Sequence, residues 1–487
     1  MTSVDSASTA DVQPVQGGGR KLAGNMGVLQ LAFTVLAYNA PIVVFLGYMP
    51  VTILLGNGIG TPVAYLVCAV IVGLLAAGLV AISSRLETPG GFYAFITAGL
   101  GKVVGLGAGY AAISCYYSAL LGGYALGGVG LSSLVHNVFG GPDVSWWVWS
   151  LLLFVAASVL GYFSIELSAR VLTVFLAAEL ALVIFYDGGV IAHLGRDAFQ
   201  LNSFDPGNVW SGSIGIAILF GVGLFGGFEA TVIFRDEVHD PRRTIPRATL
   251  LVVGFLGILY AFTAWMFINS YGAQAIMEAV TDPTGSATSS VEKYAGTFAF
   301  EVATILLVTS SFALILSAHN IATRYGFNLS ADGIFPRSLS AVHPKHASPH
   351  RASMAVSAVS IIGLVLLIAS KSDPNLLYAK LAGAYAYAAI VLFLLVAIAI
   401  SAYLIRHRRS NGDGMLAAVG TAVAAVFLAF ALWVGTAQFE LLTGATGTVA
   451  VVILAVIWGL IALGMVTAAV YRRTRPDTYA RIGRQDA

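Results

Sequence analysis

The chain has 487 residues, 58% of them hydrophobic and only 10% charged, where a soluble domain carries about a quarter charged. With a mean hydropathy of +0.86, that balance excludes a sizeable soluble domain and places the chain in the membrane. A net charge of +2, its basic residues scattered as punctuation between apolar runs, gives no footing for a nucleic-acid partner, and Cys68 and Cys115 both lie inside apolar runs, away from any disulfide framework or redox motif.

Residues 1–25 are rich in Ser, Asp, Gln and Gly with no apolar core and read as a disordered cytosolic tail, without a cleavable signal peptide. A membrane span takes about 20 apolar residues, and twelve candidates follow: 27–55, 61–83, 103–135, 146–164, 171–193, 212–234, 250–271, 297–322, 354–370, 376–405, 415–436 and 446–471. Basic residues fix the orientation. Of the 25 Lys and Arg residues, roughly 21 fall before span one, after the even-numbered spans or in the tail, so both termini are expected in the cytosol of a multi-pass cytoplasmic-membrane protein. Between spans two and three, Pro89-Gly90-Gly91 precedes an amphipathic stretch that reads as an interfacial helix. The outer connection 272–296, with Asp282, Pro283 and a Ser/Thr cluster, reads as an extracellular loop, either a lid or plainly solvated.

Two spans carry faults. Span one, drawn as one helix, runs about 43 Å, more than a hydrocarbon core of about 30 Å. Inside it Ala37-Tyr38-Asn39-Ala40-Pro41 ends in a residue with no N–H to donate, so a break near Asn39–Pro41 is expected. Span six concentrates Gly221, Gly223, Gly226 and Gly227 just before Phe228 and Glu229. Either fault alone also suits a close-packed glycine face or a proline kink. Two of them, five spans apart, point to corresponding positions in two five-span inverted repeats, residues 26–195 and 208–405. Spans eleven and twelve (415–472) and a cytosolic tail (473–487) complete this expected organisation. Free N–H groups where span one restarts suit a carboxylate, and free carbonyls at the end of the first half of span six suit an ammonium. The pair fits an amino acid. Candidate substrate-binding residues are therefore Tyr38, Asn39, Ala40, Pro41 and Ile42 at the first break, and Phe225, Gly226, Gly227 and Phe228 at the second. Tyr116 in span three and Tyr385 in span ten join them as pocket walls, with Tyr117 and Tyr387 as neighbours that equally suit packing.

Three segments resemble the amino acid–polyamine–organocation transporters. Gly226-Gly227-Phe228-Glu229, followed by Asp236-Glu237-Val238-His239-Asp240-Pro241-Arg242-Arg243-Thr244-Ile245-Pro246-Arg247-Ala248, is similar to that family's span-six signature. Arg324-Tyr325-Gly326, Ala331-Asp332-Gly333-Ile334-Phe335-Pro336 and Val342-His343-Pro344 resemble its loop after span eight, and Pro89-Gly90-Gly91-Phe92-Tyr93 its entry to span three. The resemblance implies an all-α membrane fold of the leucine-transporter type with broken helices one and six, two extra helices, and secondary uptake or exchange of amino acids or amines. Where the family has a glycine-rich break in span one, this chain has Tyr38-Asn39-Ala40-Pro41, with amides remaining at Asn39, Ala40 and Ile42. The span-five lysine that takes the place of a sodium ion in some members has no counterpart here.

An ionisable residue at membrane depth costs at least about 2.5 kcal/mol and is a functional candidate by default. Glu179, near the middle of span five, suits proton coupling, amine binding or a hydrogen-bonded structural role, whereas Asp187 is expected nearer the outer surface at a hydrated position. Glu229 suits capping of loose backbone N–H groups or gating, ahead of direct substrate contact. Ser310 and Ser311 in span eight suit cation coordination or helix packing, His319 suits packing or proton relay, and Lys380 snorkelling or pairing with an acid. The eight histidines show no metal-ligand spacing on a span, so no metal, cofactor or enzymatic centre is expected. A polar stripe or repeated filter, as a channel requires, is not found. The reading is a permease for amino acids or related amines, with a co-transported proton or sodium ion.

Overall fold

The computed structural model describes residues 27–83, 85–86, 91–163, 169–228, 238–344, 346, 348–407 and 414–483. Its main elements are helices. In chain order they are α1 (Val28–Asn39), α2 (Pro41–Leu55), α3 (Thr61–Ser83), α4 (Gly91–Leu100), α5 (Lys102–Ser133), α6 (Trp146–Tyr162), α7 (Ala169–Leu194), α8 (Ile214–Gly223) and α9 (Pro241–Tyr271). Then come α10 (Ala275–Ala279), α11 (Pro283–Ala295), α12 (Thr297–Ala331), α13 (His350–Ala369), α14 (Pro374–Arg406), α15 (Met415–Ala437), α16 (Thr448–Thr474) and α17 (Pro476–Arg481).

Among the described residues nine helices are long and apolar enough to cross a membrane: α3, α5, α7, α9 and α12 to α16. The other three expected spans are shorter pieces, with α1 and α2 a broken pair, α6 of 17 residues and α8 of 10. The chain is therefore an all-α multi-pass membrane protein. Large apolar side chains face outward on the peripheral helices, such as Ile362 and Leu366 on α13 and Val456 and Leu463 on α16, as a lipid-facing surface takes them.

The centre is α5, which packs against α12, α14 and α16. Its glycines permit this closeness, since a Cβ at Gly123 would stand 2.8 Å from the Ile315 side chain of α12 and one at Gly107 2.7 Å from the Met465 side chain of α16. The expected interfacial helix is α4, more buried than that reading implied: Phe92, Tyr93, Phe95 and Ile96 are all inside, against α14 and α5. Near the start of α4 the Tyr93 hydroxyl donates to Asp332 Oδ2 at 2.9 Å, and the Gly483 N–H reaches the same pair at 3.1 Å each. Two of the segments that resembled the transporter family thus meet under the C-terminal residues.

Residues 272–296 depart from the expected loop. They form α10 and α11, the second capped by the Asp282 carboxylate accepting from the Gly285 N–H. Ala287, Val291 and Tyr294, at helical spacing, are buried, and α11 lies across α2 and α7. Its Ser/Thr richness concealed this, because Ser290 is buried and bonds the Tyr186 and Ser270 hydroxyls at 2.8 and 2.7 Å. The stretch Pro241 to Ala248, which lies between the expected spans 212–234 and 250–271, forms the first turns of α9, where a proline at the first helical position is tolerated.

Candidate functional site

The first break follows from two adjacent residues. Ala40 precedes Pro41, which bars it from the right-handed helical region, and it adopts the left-handed one with φ 52° and ψ 65°. For an alanine that conformation costs about 1–2 kcal/mol. Pro41, its φ already suited to a helix start, opens α2. Residues Val44–Tyr48 continue as a wider π-helical turn, a form frequent at functional sites.

The second break closes α8 at Gly223. Beyond it the hydrogen bonds shorten to tight turns, Phe225 N–H to the Val222 carbonyl at 3.1 Å, Gly226 N–H to Gly223 at 3.1 Å and Phe228 N–H to Phe225 at 3.2 Å. Gly227 takes φ 94°, a conformation side-chain-bearing residues rarely adopt. Gly226 needs its missing side chain for another reason: a Cβ there would collide with the Tyr385 hydroxyl.

Asn39 joins the two breaks across 185 residues of sequence. Its Nδ2 donates to the Leu224 carbonyl at 2.5 Å and the Gly226 carbonyl at 3.2 Å, while its Oδ1 accepts from the Tyr260 hydroxyl of α9. Tyr385 of α14 donates to the Gly223 carbonyl at 3.3 Å. Between these groups lies a cavity of about 120 Å³, walled by α1 and α2, α5, the end of α8, α12 and α14.

Of the expected binding residues, Asn39, Ala40, Tyr116, Gly226, Gly227 and Tyr385 line this cavity. Pro41, Ile42, Phe225 and Phe228 are buried behind it. Phe228 instead meets Phe393 and Phe92, with ring centroids 5.6 and 6.3 Å away, and closes an aromatic layer. The Tyr38 side chain and all of Glu229 lie outside the described residues. Tyr387 turns away, sharing hydrogen bonds with Thr436 at 2.7 Å and Trp458 at 2.9 Å. Sequence reasoning missed Tyr48 and Tyr378, which also line the cavity.

Glu179 is 4% exposed, and its Oε2 accepts the Ile42 N–H at 3.2 Å. Ser310 lies beside the carboxyl, and Ser311 is buried with a hydroxyl lacking a protein partner. Asp187 corrects its expectation of hydration. It too is 4% exposed and accepts from Thr263 of α9 at 2.9 Å. His319 is buried and bonds Ser353 at 2.9 Å, which suits a packing role. Among the described residues no cluster of three or more His, Cys, Asp or Glu side chains is placed to hold a metal ion.

The sequence profile described as Amino acid permease matches residues 31–479. The chain belongs to the amino acid permease family. Among curated relatives, the low-affinity putrescine importer PlaP of Escherichia coli (strain K12) is 25% identical over 338 residues, covering 68% of this chain and 72% of that protein. The uncharacterized transporter Rv1999c of Mycobacterium tuberculosis is 26% identical over 324 residues, covering 65% and 68%. The branched-chain amino acid permease BcaP of Bacillus subtilis (strain 168) is 24% identical over 366 residues, covering 71% and 75%. Membership bears out the resemblance to the amino acid–polyamine–organocation transporters and makes this permease a secondary transporter of small solutes across a membrane.

Proposed function

We propose that this permease carries amino acids or related amines across the cytoplasmic membrane by alternating access, with the cavity between the two breaks as the transport site and both termini in the cytosol. In this reading the chain makes twelve spans, ten of them as two five-span inverted repeats. The observation that carries it is the Asn39 bridge, in which the side chain at one helix break donates to carbonyls at the other. Interrupted helices that meet beside a cavity offer dipole ends and bare backbone to a charged solute. The names of two relatives, a putrescine importer and a branched-chain amino acid permease, span the same two solute classes.

Glu179 is the proposed coupling residue. Its carboxyl group bonds the first N–H available in α2, so gain or loss of a proton there acts directly on the restart of the broken span. The test is uptake of labelled amino acids and amines by the purified chain in proteoliposomes, under an imposed proton or sodium gradient. Proton-driven accumulation is expected, lost in Glu179→Gln while solute exchange persists. Accumulation that follows sodium and survives Glu179→Gln would transfer coupling to Ser310 and Ser311 with span-one carbonyls, and leave Glu179 structural.

A further inference from the structure

α2 starts beside the cavity, with Ala40, Val43 and Val44 in its wall and Pro41 and Ile42 buried behind them, and its first two positions offer no free N–H to an anion. Its first residue, Pro41, has no N–H, and the N–H of Ile42 already donates to Glu179 Oε2 at 3.2 Å. The first N–H of α2 that a ligand carboxylate could use is thus already taken by a carboxyl group of the chain itself. A ligand carboxylate in the adjoining cavity would be repelled by the ionised form of Glu179 through a low-dielectric wall, where repulsion is strong. Among the described residues that line the cavity there is no Lys or Arg to offset it, and no Asp or Glu either.

The same cavity suits a cation. Tyr48, Tyr116, Tyr378 and Tyr385 all border it, and aromatic ring faces attract an ammonium group. The Tyr48 hydroxyl is buried without a partner on a residue only 7% exposed, so it is available to accept from an N–H donor. The carbonyls of Leu224 and Gly226, which accept from Asn39, sit at the negative end of α8 and carry two lone pairs each. Val43, Leu314, Ile321 and Leu381 make other walls apolar, an environment that penalises any second charge.

We propose that this cavity takes a primary monoamine with an apolar body and no carboxylate, and that Pro41 and Glu179 set this selectivity by removing the anion seat. The proposal rests on reading the cavity as the transport site.

The test is binding of labelled phenethylamine to the full chain in detergent, competed by phenylalanine, isopentylamine, leucine and putrescine. Phenylalanine and leucine differ from the two monoamines only by a carboxylate. The monoamines are expected to bind at least about tenfold tighter than their amino acids, and Glu179→Ala to narrow that gap by freeing the Ile42 N–H. Pro41→Gly, which restores an N–H, is the second variant should Glu179→Ala fail to give monodisperse protein, and it too is expected to strengthen phenylalanine binding. Phenylalanine binding as tightly as phenethylamine, or putrescine outcompeting isopentylamine, would overturn the assignment while leaving the transport site standing. Unchanged phenylalanine affinity in both folded variants would remove Pro41 and Glu179 as its cause. Binding of no amine and no amino acid would overturn the transport site itself.

Discussion

Asn39 holds three groups at once, the carbonyls of Leu224 and Gly226 and the hydroxyl of Tyr260. Removing one partner from a buried polar group costs about 1–3 kcal/mol, so Asn39→Ala is expected to lower the melting temperature in detergent and to abolish uptake. Normal transport by that variant would show that the breaks need no bridge. Gly226 makes a sharper case. A methyl group there meets the Tyr385 hydroxyl, so Gly226→Ala is expected to lose uptake, and adding Tyr385→Phe to restore part of it by removing the colliding atom. Failure of the double variant to exceed the single one, at equal protein levels in the membrane, would mean that Gly226 acts through its backbone alone.

At the level of elements, the two breaks were legible because their causes are local: a proline without an N–H after Ala40, and glycines clustered from Gly221 to Gly227. What the breaks touch was not legible. Asn39 finds its acceptors 185 residues away, Asp187 is buried with its carboxylate on Thr263 of α9, 76 residues away, and Tyr48 enters the site only once α2 is folded. The tie between α4 and the end of α12 was equally silent. Burial and the neighbouring Asp332 carboxylate push the Tyr93 hydroxyl well above its ordinary pKa, so it remains a donor to Asp332. Gly483 closes on the same pair, and Ile482 is fully buried beside them. Tyr93→Phe is therefore expected to cost about 0.5–1.5 kcal/mol, the worth of one hydrogen bond, and to speed trypsin cleavage at the C-terminal arginines. An unchanged cleavage rate would show that the tail is held by Ile482 packing and by Lys102, which donates to the Ala480 carbonyl at 2.6 Å.

For the whole molecule, the arrangement implies a layered closure around one central cavity. On one side Phe228, Phe393 and Phe92 form an aromatic layer, and at the other end α11 packs on α2 and α7. Alternating access requires at least one such layer to part in each half-cycle, and Phe92→Ala is expected to raise the labelling of a cysteine placed at Ala119, which lines the cavity, by a reagent confined to the cytosolic side. No change in labelling would place the gate elsewhere. The central claim is that solute sits between two interrupted helices, and its most direct measurement is the structure of the full chain in a lipid nanodisc with a transported amine bound, solved by electron microscopy. The expected result is ligand density between Asn39 and Tyr385, against the carbonyls that end α8, with both helices interrupted. Continuous helical hydrogen bonding through Tyr38–Pro41 and Phe225–Glu229, or density bound anywhere outside this cavity, would contradict it.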